Sequence, residues 1–171
     1  GGGSYGAYTA GVIQALMEDP AFQNGDIKIV GISGTSAGAN NGAILASGLN
    51  EGGHHNVIKK LRSYWNDIKK NGKTLELMPN LTFWARFPNL PRALIEYGKI
   101  FAALSVVKPQ DYLKDILNRT IHNWDEINKS DIKLYTNAVK ENPYTGEKEH
   151  ITFDRHSPDT VTASANLRSF G

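Results

Sequence analysis

The sequence predicts an α/β domain, arranged as a three-layer sandwich of helices around a central, mainly parallel sheet. Two kinds of segment support this prediction. Apolar residues recur at helical spacing in residues 7–19 and 55–70, whereas residues 27–32 and 132–139 are short and rich in β-branched side chains. Because strand-like and helical segments follow one another along the chain, we expect strands connected by helices.

The composition of the 171 residues fits one globular domain and excludes several kinds of site. The formal net charge of +2 is small, so nothing points to a nucleic-acid partner. The absence of cysteine excludes a disulfide framework, thiolate catalysis and cysteine-ligated zinc. No apolar run of transmembrane length and no signal peptide is visible, but a start on Gly1-Gly2-Gly3 suggests a segment boundary, so a missing leader carries no information.

The first part of the chain is predicted to form a helix, a strand and two further helices. The first helix covers residues 7–19 and stops at Pro20. Its apolar stripe consists of Tyr8, Val12, Ile13 and Leu16. The strand covers residues 27–32, a helix of small side chains covers 39–46, and a turn at 50–53 precedes the next helix.

That next helix, residues 55–70, has an apolar face and a basic remainder. The apolar face consists of Val57, Ile58, Leu61, Trp65 and Ile68, and the basic residues are Lys59, Lys60, Arg62, Lys69 and Lys70. We favour a surface helix whose apolar face packs on the sheet. The alternative is a basic helix attracted to an anionic membrane surface.

The second part begins with an irregular segment, residues 75–107, which is interrupted by proline and dense in large apolar side chains. It is typical of a lid or cap insertion over a lipid-binding cleft, with a plain packed insertion as the alternative. Helices are then predicted at 111–119 and 124–127, and a hairpin of strands at 132–139 and 149–153. A last helix covers 159–167, with Ser157-Pro158-Asp159 as its start signal.

A Gly-x-Ser-x-Gly pentapeptide, Gly34-Thr35-Ser36-Ala37-Gly38, lies between the first strand and the small-residue helix. This is the context of a nucleophile elbow, in which a tight turn projects the Ser36 hydroxyl into a cleft. Gly34 and Gly38 keep side chains out of the crowded contact between strand and helix. The pentapeptide alone is equally consistent with a small-residue turn that buries a serine, and its flanking elements favour a nucleophile.

The opening Gly1-Gly2-Gly3-Ser4-Tyr5-Gly6 allows two interpretations. Its glycine spacing matches the dinucleotide fingerprint, and Asp26 lies near the expected distance for the acidic residue. However, no strand is visible before the loop, and Asp26 lies in an Asn-Gly-Asp turn ahead of the next strand. The alternative is anion stabilisation, because glycine N–H groups that enter a helix N-terminus suit the oxyanion of acyl transfer.

The glycine loop and the pentapeptide, one βα unit apart, together resemble the patatin-like phospholipase family. The resemblance rests on Gly-Gly-Gly-Ser-Tyr-Gly-Ala-Tyr-Thr-Ala-Gly-Val from Gly1 and on Gly-Ile-Ser-Gly-Thr-Ser-Ala-Gly-Ala from Gly31. Near the other end, Thr162-Ala163-Ser164-Ala165-Asn166 is similar to the Ala-Ser-x-Ala block that precedes the family's catalytic aspartate. The resemblance is strong over residues 1–50 and weak between Gly52 and Asp159.

The resemblance implies a serine–aspartate dyad hydrolase of lipid esters, of the phospholipase A, lysophospholipase or lipase type. It implies no metal or cofactor, and it implies peripheral contact with a membrane or lipid aggregate. The implied site residues are the nucleophile Ser36, the oxyanion loop Gly1, Gly2 and Gly3, and the motif glycines Gly6, Gly34 and Gly38.

The sequence departs from the family pattern at three places. Tyr5 stands where the family often has Arg or Lys, and Asn166-Leu167-Arg168 replaces the proline that usually continues the Ala-Ser-x-Ala block. The family's aspartate belongs to an Asp-Gly-Gly or Asp-Gly-Ala turn, which does not appear before Gly171. Residues 1–171 are therefore interpreted as the nucleophile-bearing part of the domain, with the dyad aspartate expected beyond Gly171.

Two alternatives remain open from the sequence. An α/β-hydrolase would use Ser36, Asp154 and His156 in that chain order, although a spacing of two residues is awkward for separate triad members. A catalytically inactive lipid-binding module would keep the fold and lack the base. The oligomeric state, and whether the protein is soluble or peripheral, cytoplasmic or exported, are not determined by the sequence.

Overall fold

A computed structural model describes residues 5–76, 109–142 and 144–165, without the side chains of residues 71–76, 109, 110 and 141. Gly1, Gly2 and Gly3 lie outside the described residues. The insertion predicted at 75–107 also lies outside them, apart from the backbone of its first two residues.

The described residues form six helices and three strands. The helices are α1 (Gly6–Glu18), α2 (Pro20–Gln23), α3 (Ala37–Glu76), α4 (Pro109–Thr120), α5 (Trp124–Lys129) and α6 (Pro158–Ser164). The strands are β1 (Gly31–Thr35), β2 (Lys133–Glu141) and β3 (Lys148–Phe153). In chain order β1 lies between α2 and α3, and β2 and β3 lie between α5 and α6.

The three strands form one sheet in the order β1-β2-β3. β1 and β2 are parallel, with Gly31 opposite Lys133 and Thr35 opposite Asn137. β2 and β3 are antiparallel and form the predicted hairpin, with Thr136 opposite Phe153. The predicted α/β class is confirmed, and the sheet in the described residues is small and mixed.

Helix α3 dominates the packing and is bent at Gly52 and Gly53. Gly53 has a positive φ of 71°, which interrupts the helix where the sequence predicts a turn. The bend folds the two halves of α3 together so closely that a Cβ on Gly48 would lie 2.6 Å from the Cα of Val57. Val57 and Leu61 are therefore fully buried, as the predicted apolar face requires.

One lysine of the predicted basic face is buried in this bend, so that part of the prediction is wrong. Lys60 is 7% exposed and forms an ion pair with Glu51 at 2.7 Å. Its ammonium also donates to Ser47 Oγ at 3.0 Å and to the Thr120 carbonyl at 2.8 Å, which ties α3 to α4. Burial alone would raise the pKa of Glu51, but the hydrogen bonds from Lys60 and Ser47 and the charge of Lys60 outweigh it and lower that pKa.

The core lies between α3, its neighbouring helices and one face of the sheet. Leu134 and Thr136 of β2 point into it, whereas Tyr135 between them is exposed. The fully buried large side chains include Met17, Ile44, Tyr64, Ile116, Leu117, Ile121 and Val161. Among the described residues, no helix combines the length and the apolar character needed to span a membrane.

The first strand lies later in the chain than predicted. The prediction placed it at 27–32, whereas β1 is Gly31–Thr35 and residues 28–30 are not in a strand. Val30 is 76% exposed and Ile27 is 50% exposed, so their apolar character does not reflect burial. The strand instead covers the residues just before Ser36. These residues pair with β2, and they contact α3.

The buried face of α1 also differs from the predicted stripe. Gly6, Ala10 and Met17 are buried, whereas Tyr8 is 77% exposed and Val12 and Leu16 are about half as exposed. The reason is the closeness of α1 to α3, since a Cβ on Gly6 would lie 2.6 Å from the Cβ of Ala37. A contact this close admits only small side chains at the start of the buried face.

Candidate active site at the Ser36 turn

Ser36 occupies the single residue between β1 and α3. It has φ 57°, and among the described residues it is the one non-glycine residue with a positive φ. This left-handed conformation is unfavourable for a residue with a Cβ and occurs preferentially at functional turns. The Ser36 carbonyl accepts hydrogen bonds from the N–H groups of Ala39 and Asn40, at 2.9 and 3.2 Å, and so begins α3.

Gly34 and Gly38 make this turn sterically feasible. A Cβ on Gly34 would lie 2.4 Å from the carbonyl oxygen of Gly38 and 2.7 Å from the backbone nitrogen of Ala39. The end of β1 and the first turn of α3 are thus in direct backbone contact. The close contact leaves the half-buried Ser36 at the apex of the turn.

The start of α1 lies beside the same turn. Asn41 Nδ2 donates to the Gly6 carbonyl at 2.8 Å, and Asn41 Oδ1 accepts from Trp65 Nε1 at 2.9 Å. Gly6 also contacts Ala37, the residue after Ser36. Gly6, the last glycine of the opening motif, therefore lies next to the Ser36 turn.

A second asparagine ties the start of α3 to its own second half. Asn40 Nδ2 donates to the hydroxyl of Tyr64 at 2.8 Å, and both side chains are buried. Burial raises the pKa of the Tyr64 phenol well above its ordinary value of 10, so the phenol stays neutral at any physiological pH. Tyr64 is accordingly a structural partner of Asn40.

A contact from α6 also reaches the turn. The Ser36 N–H donates to Ser164 Oγ at 2.9 Å, and Ser164 Oγ–H donates to the Asn137 carbonyl at 2.5 Å. From the sequence, Ser164 was recognised only as part of the Ala-Ser-x-Ala block, with no predicted role of its own. Asn40 and Asn41 were likewise missed, although two amides inside a helix of small apolar side chains are a usable signal of buried polar contacts.

Two cavities border the Ser36 turn. One has a volume of about 600 Å³ and lies over the hairpin, and its lining includes Thr35, Val139, Ile151, Phe153 and Ser164. The other has a volume of about 410 Å³ and lies between α1, β1 and α3, and its lining includes Thr9, Ile13, Gly34 and Leu45. Both cavities have mixed polar and apolar linings, and both include Thr35, the residue before Ser36.

The histidine of the alternative triad lies elsewhere. His156 is 4% exposed, and its Nε2–H donates to the Leu134 carbonyl at 2.7 Å. Leu134 pairs with Ile32, three residues before Thr35, so it lies roughly 10 Å along the sheet from the Ser36 end. Burial lowers the pKa of His156, opposed by the hydrogen bond to Leu134 and by Asp154. This geometry excludes His156 as a hydrogen-bonded base for Ser36.

The carboxylates named in the sequence analysis are also far from forming a dyad. Asp159 pairs with Lys114 on the surface, and Asp154 and Asp26 are exposed. Asp26 precedes β1, so it does not stand at the end of a strand as a ribose-binding acid would. Within the described residues, no carboxylate forms a hydrogen bond with Ser36 Oγ, and no group of three His, Asp or Glu residues is suited to a metal ion.

Comparison with known proteins gives one match. A family model described as "Patatin-like phospholipase" matches residues 1–168. Searches of curated proteins and of solved structures returned no match. Because the family model covers nearly the whole chain, the family predicted from the sequence is confirmed. The chain belongs to the patatin-like phospholipase family, and this membership indicates activity on the acyl esters of lipids.

Proposed function

We propose that the protein is a serine acyl hydrolase that cleaves lipid esters, with Ser36 as its nucleophile. The conformation of Ser36 carries this proposal, because a serine with φ 57° between a strand and a helix matches the strained turn of a nucleophile elbow. Gly34, in backbone contact with Gly38, is the feature that permits the turn. The proposed substrates are phospholipids, lysophospholipids or neutral lipids.

In the proposed reaction, Ser36 Oγ attacks the ester carbonyl carbon while its proton passes to a carboxylate. The tetrahedral intermediate expels the alcohol, which takes up that proton, and leaves an acyl-enzyme. Water then attacks the acyl carbonyl carbon and gives a proton to the same carboxylate; the bond from the acyl group to Ser36 Oγ breaks, the fatty acid leaves, and the proton returns to Ser36 Oγ. The family resemblance implies an aspartate for this role, and none of Asp26, Asp154 and Asp159 is proposed for it.

The oxyanion is proposed to bind the N–H groups of the opening glycine loop. Gly1, Gly2 and Gly3 come a few residues before α1, whose first residue, Gly6, contacts Ala37 beside the proposed nucleophile. A helix N-terminus favours negative charge, and donors fixed where charge develops lower the barrier. Loss of one such donor typically costs about 10²–10³ in turnover.

The surroundings of Ser36 suit a lipid substrate. The 600 Å³ cavity is lined by Thr35 and by the apolar side chains of Val139, Ile151 and Phe153, which would contact an acyl chain, and Lys140 and His150 also line it. The exposed side chains of Tyr5 and Tyr8 lie at the start of α1, next to the turn. Aromatic side chains of this kind favour the boundary between water and lipid, so we include peripheral contact with a lipid surface in the proposal.

The second candidate is a catalytically inactive lipid-binding module of the same fold. The observation in its favour is that no carboxylate within the described residues forms a hydrogen bond with Ser36 Oγ. It differs from the first candidate in one measurable property, because a binding module holds lipid without reacting with an activated ester.

The test is the replacement Ser36→Ala, compared with Ser63→Ala, which removes an exposed hydroxyl far along α3. Hydrolysis of a p-nitrophenyl ester and of a phospholipid is measured, together with labelling by a fluorophosphonate mapped by mass spectrometry. We expect Ser36→Ala to lose at least about 10³-fold in kcat and all labelling, with Ser63→Ala unchanged. Unchanged hydrolysis in Ser36→Ala would remove Ser36 from the mechanism, and lipid binding without labelling in the unsubstituted protein would favour the binding module.

A further inference from the structure

We propose that Ser164 is a positioning residue for the nucleophile: its hydroxyl inserts between the ends of β1 and β2 and fixes the backbone of Ser36. The proposal rests on the proposed function, in which Ser36 attacks the ester. Ser164 lies on α6, outside the pentapeptide, and the proposed reaction does not involve its hydroxyl directly.

The hydrogen-bond ladder between β1 and β2 shows what the hydroxyl replaces. The ladder begins with Lys133 N–H donating to the Val30 carbonyl at 3.1 Å, and a parallel ladder repeats every two residues on each strand. Continued regularly, it would bring the Ser36 N–H to the Asn137 carbonyl. Instead, the Ser36 N–H donates to Ser164 Oγ, and Ser164 Oγ–H donates to that same carbonyl.

The Ser164 hydroxyl therefore replaces one hydrogen bond between β1 and β2. It keeps the N–H of Ser36 and the carbonyl of Asn137 paired while separating them by one oxygen atom. This separation is what a strand needs at the residue where its chain turns into α3 with a positive φ. A direct hydrogen bond from the Ser36 N–H to the Asn137 carbonyl would instead extend β1 past Thr35 and disfavour the turn at Ser36.

The position of Ser164 is set independently of Ser36. Helix α6 begins with a capping box, in which Ser157 Oγ accepts from Thr160 N–H and Thr160 Oγ1 accepts from Ser157 N–H. Val161 is fully buried, and Asp159 pairs with Lys114 of α4. The hydroxyl is therefore presented by a helix anchored at its other end, as a group that orients a neighbour must be.

Occupation of the Ser36 N–H has a chemical consequence. An N–H that already donates to Ser164 does not point at a developing oxyanion, so the donors must lie elsewhere, as the glycine loop would provide. The same hydroxyl lines the 600 Å³ cavity together with Thr35 and Asn137. Ser164 thus holds the turn at the edge of the cavity that we propose for the acyl chain.

The experiment compares Ser164→Ala with Ser164→Thr, which restores a hydroxyl, and with the control Thr162→Val. Thr162 lies on the same helix, but its hydroxyl donates only to the carbonyls of Pro158 and Asp159 within that helix. For each variant of the full protein, ester hydrolysis, the rate of fluorophosphonate labelling and the exchange rate of the Ser36 amide are measured.

We expect Ser164→Ala to lower kcat and the labelling rate about 10- to 100-fold with KM changed less than about twofold, because misplacement of the nucleophile acts on the reaction step. Exchange of the Ser36 amide should accelerate about tenfold. Ser164→Thr should recover most of both losses, and Thr162→Val should show neither.

Wild-type labelling and amide exchange in Ser164→Ala would overturn the positioning role while leaving the proposed function intact. Equal loss of kcat in Ser164→Ala and Thr162→Val would also overturn it, because the effect would then belong to the helix as a whole. A protein that shows no labelling in its unsubstituted form, but whose Ser36 amide loses protection in Ser164→Ala, would refute the proposed function and retain the contact.

Discussion

Replacement of Gly34 by alanine is expected to destabilise the protein by about 3 kcal/mol. The added Cβ would lie 2.4 Å from the Gly38 carbonyl oxygen and 2.5 Å from its carbonyl carbon, whereas ordinary contacts begin at 3.4 Å. The end of β1 and the start of α3 would therefore have to separate by about 1 Å. Overpacking costs about 1–3 kcal/mol. Because the atoms that the new Cβ would meet belong to the backbone and cannot rotate away, we expect a cost at the upper end of this range.

Thermal unfolding measures this cost directly. For a protein of this size 1 kcal/mol corresponds to about 2–4 °C in Tm, so Gly34→Ala is expected to lower Tm by about 6–12 °C. The matched control is Gly11→Ala, which adds the same atoms in the middle of α1 with nothing within 4 Å. Removal of a helical glycine should stabilise the control by up to about 1 kcal/mol. A Gly34→Ala protein that melts at or above the temperature of the unsubstituted protein would refute the close contact at the Ser36 turn.

Two further predictions concern buried ionisable groups. Lys60→Met is expected to lower the free energy of unfolding by about 2–4 kcal/mol, because Glu51 and the Thr120 carbonyl lose their partner. Lys59→Met, on the exposed face, should change it by less than about 0.5 kcal/mol. Equal urea midpoints for the two variants would contradict the ion pair of Lys60 with Glu51. The pKa of folded His156 lies below its ordinary 6.5, so protonation favours the unfolded chain, and stability present above pH 6.5 should decline as the pH falls below that value. His156→Gln should flatten this part of the stability–pH curve without abolishing ester hydrolysis at neutral pH, and a folded variant without hydrolysis would support the Ser-Asp-His triad.

The features predicted correctly from sequence are those whose cause is local. Ser157 caps α6 because its hydroxyl reaches an N–H three residues away, and Pro158 suits the first helical position. The bend of α3 follows from Gly52 and Gly53, which can adopt backbone conformations that end a helix. In each case the residues that determine the structure are adjacent in the sequence.

The two errors of placement arise from the assumption that apolar residues are buried. Residues 27–30 were assigned to a strand because Ile27, Ile29 and Val30 are β-branched, but Val30 is among the most exposed hydrophobic residues described. On α1 the large apolar residues Tyr8 and Leu16 defined the predicted face, whereas Gly6 and Ala10 define the real one. Where two backbones approach closely, small residues mark the contact, and hydropathy patterns do not detect it.

The contacts around Ser36 were not predicted from the sequence for a different reason, because they join residues that are distant in the chain. The Ser164 contact joins residues 128 positions apart, and the Asn41 contact with Gly6 joins residues 35 positions apart. A serine near the end of a helix and an asparagine inside one are both ordinary in isolation. The register that places Asn137 opposite Thr35 brings the Ser164 hydroxyl to the backbone of Ser36.

Two of the motif glycines, Gly6 and Gly34, lie at close contacts around Ser36 that leave no room for a side chain. Gly6, the last glycine of the opening loop, is required because a Cβ there would meet Ala37 at 2.6 Å and the indole ring of Trp65 at 2.8 Å. Gly34, in the pentapeptide, is required because a Cβ there would meet the backbone of Gly38. Both glycines therefore allow close contact with α3, Gly34 with the backbone of its first turn and Gly6 with the side chains of Ala37 and Trp65. Gly6 and Gly34 thus lie on two sides of one packing arrangement, in which α1 and β1 both contact the helix that begins after Ser36.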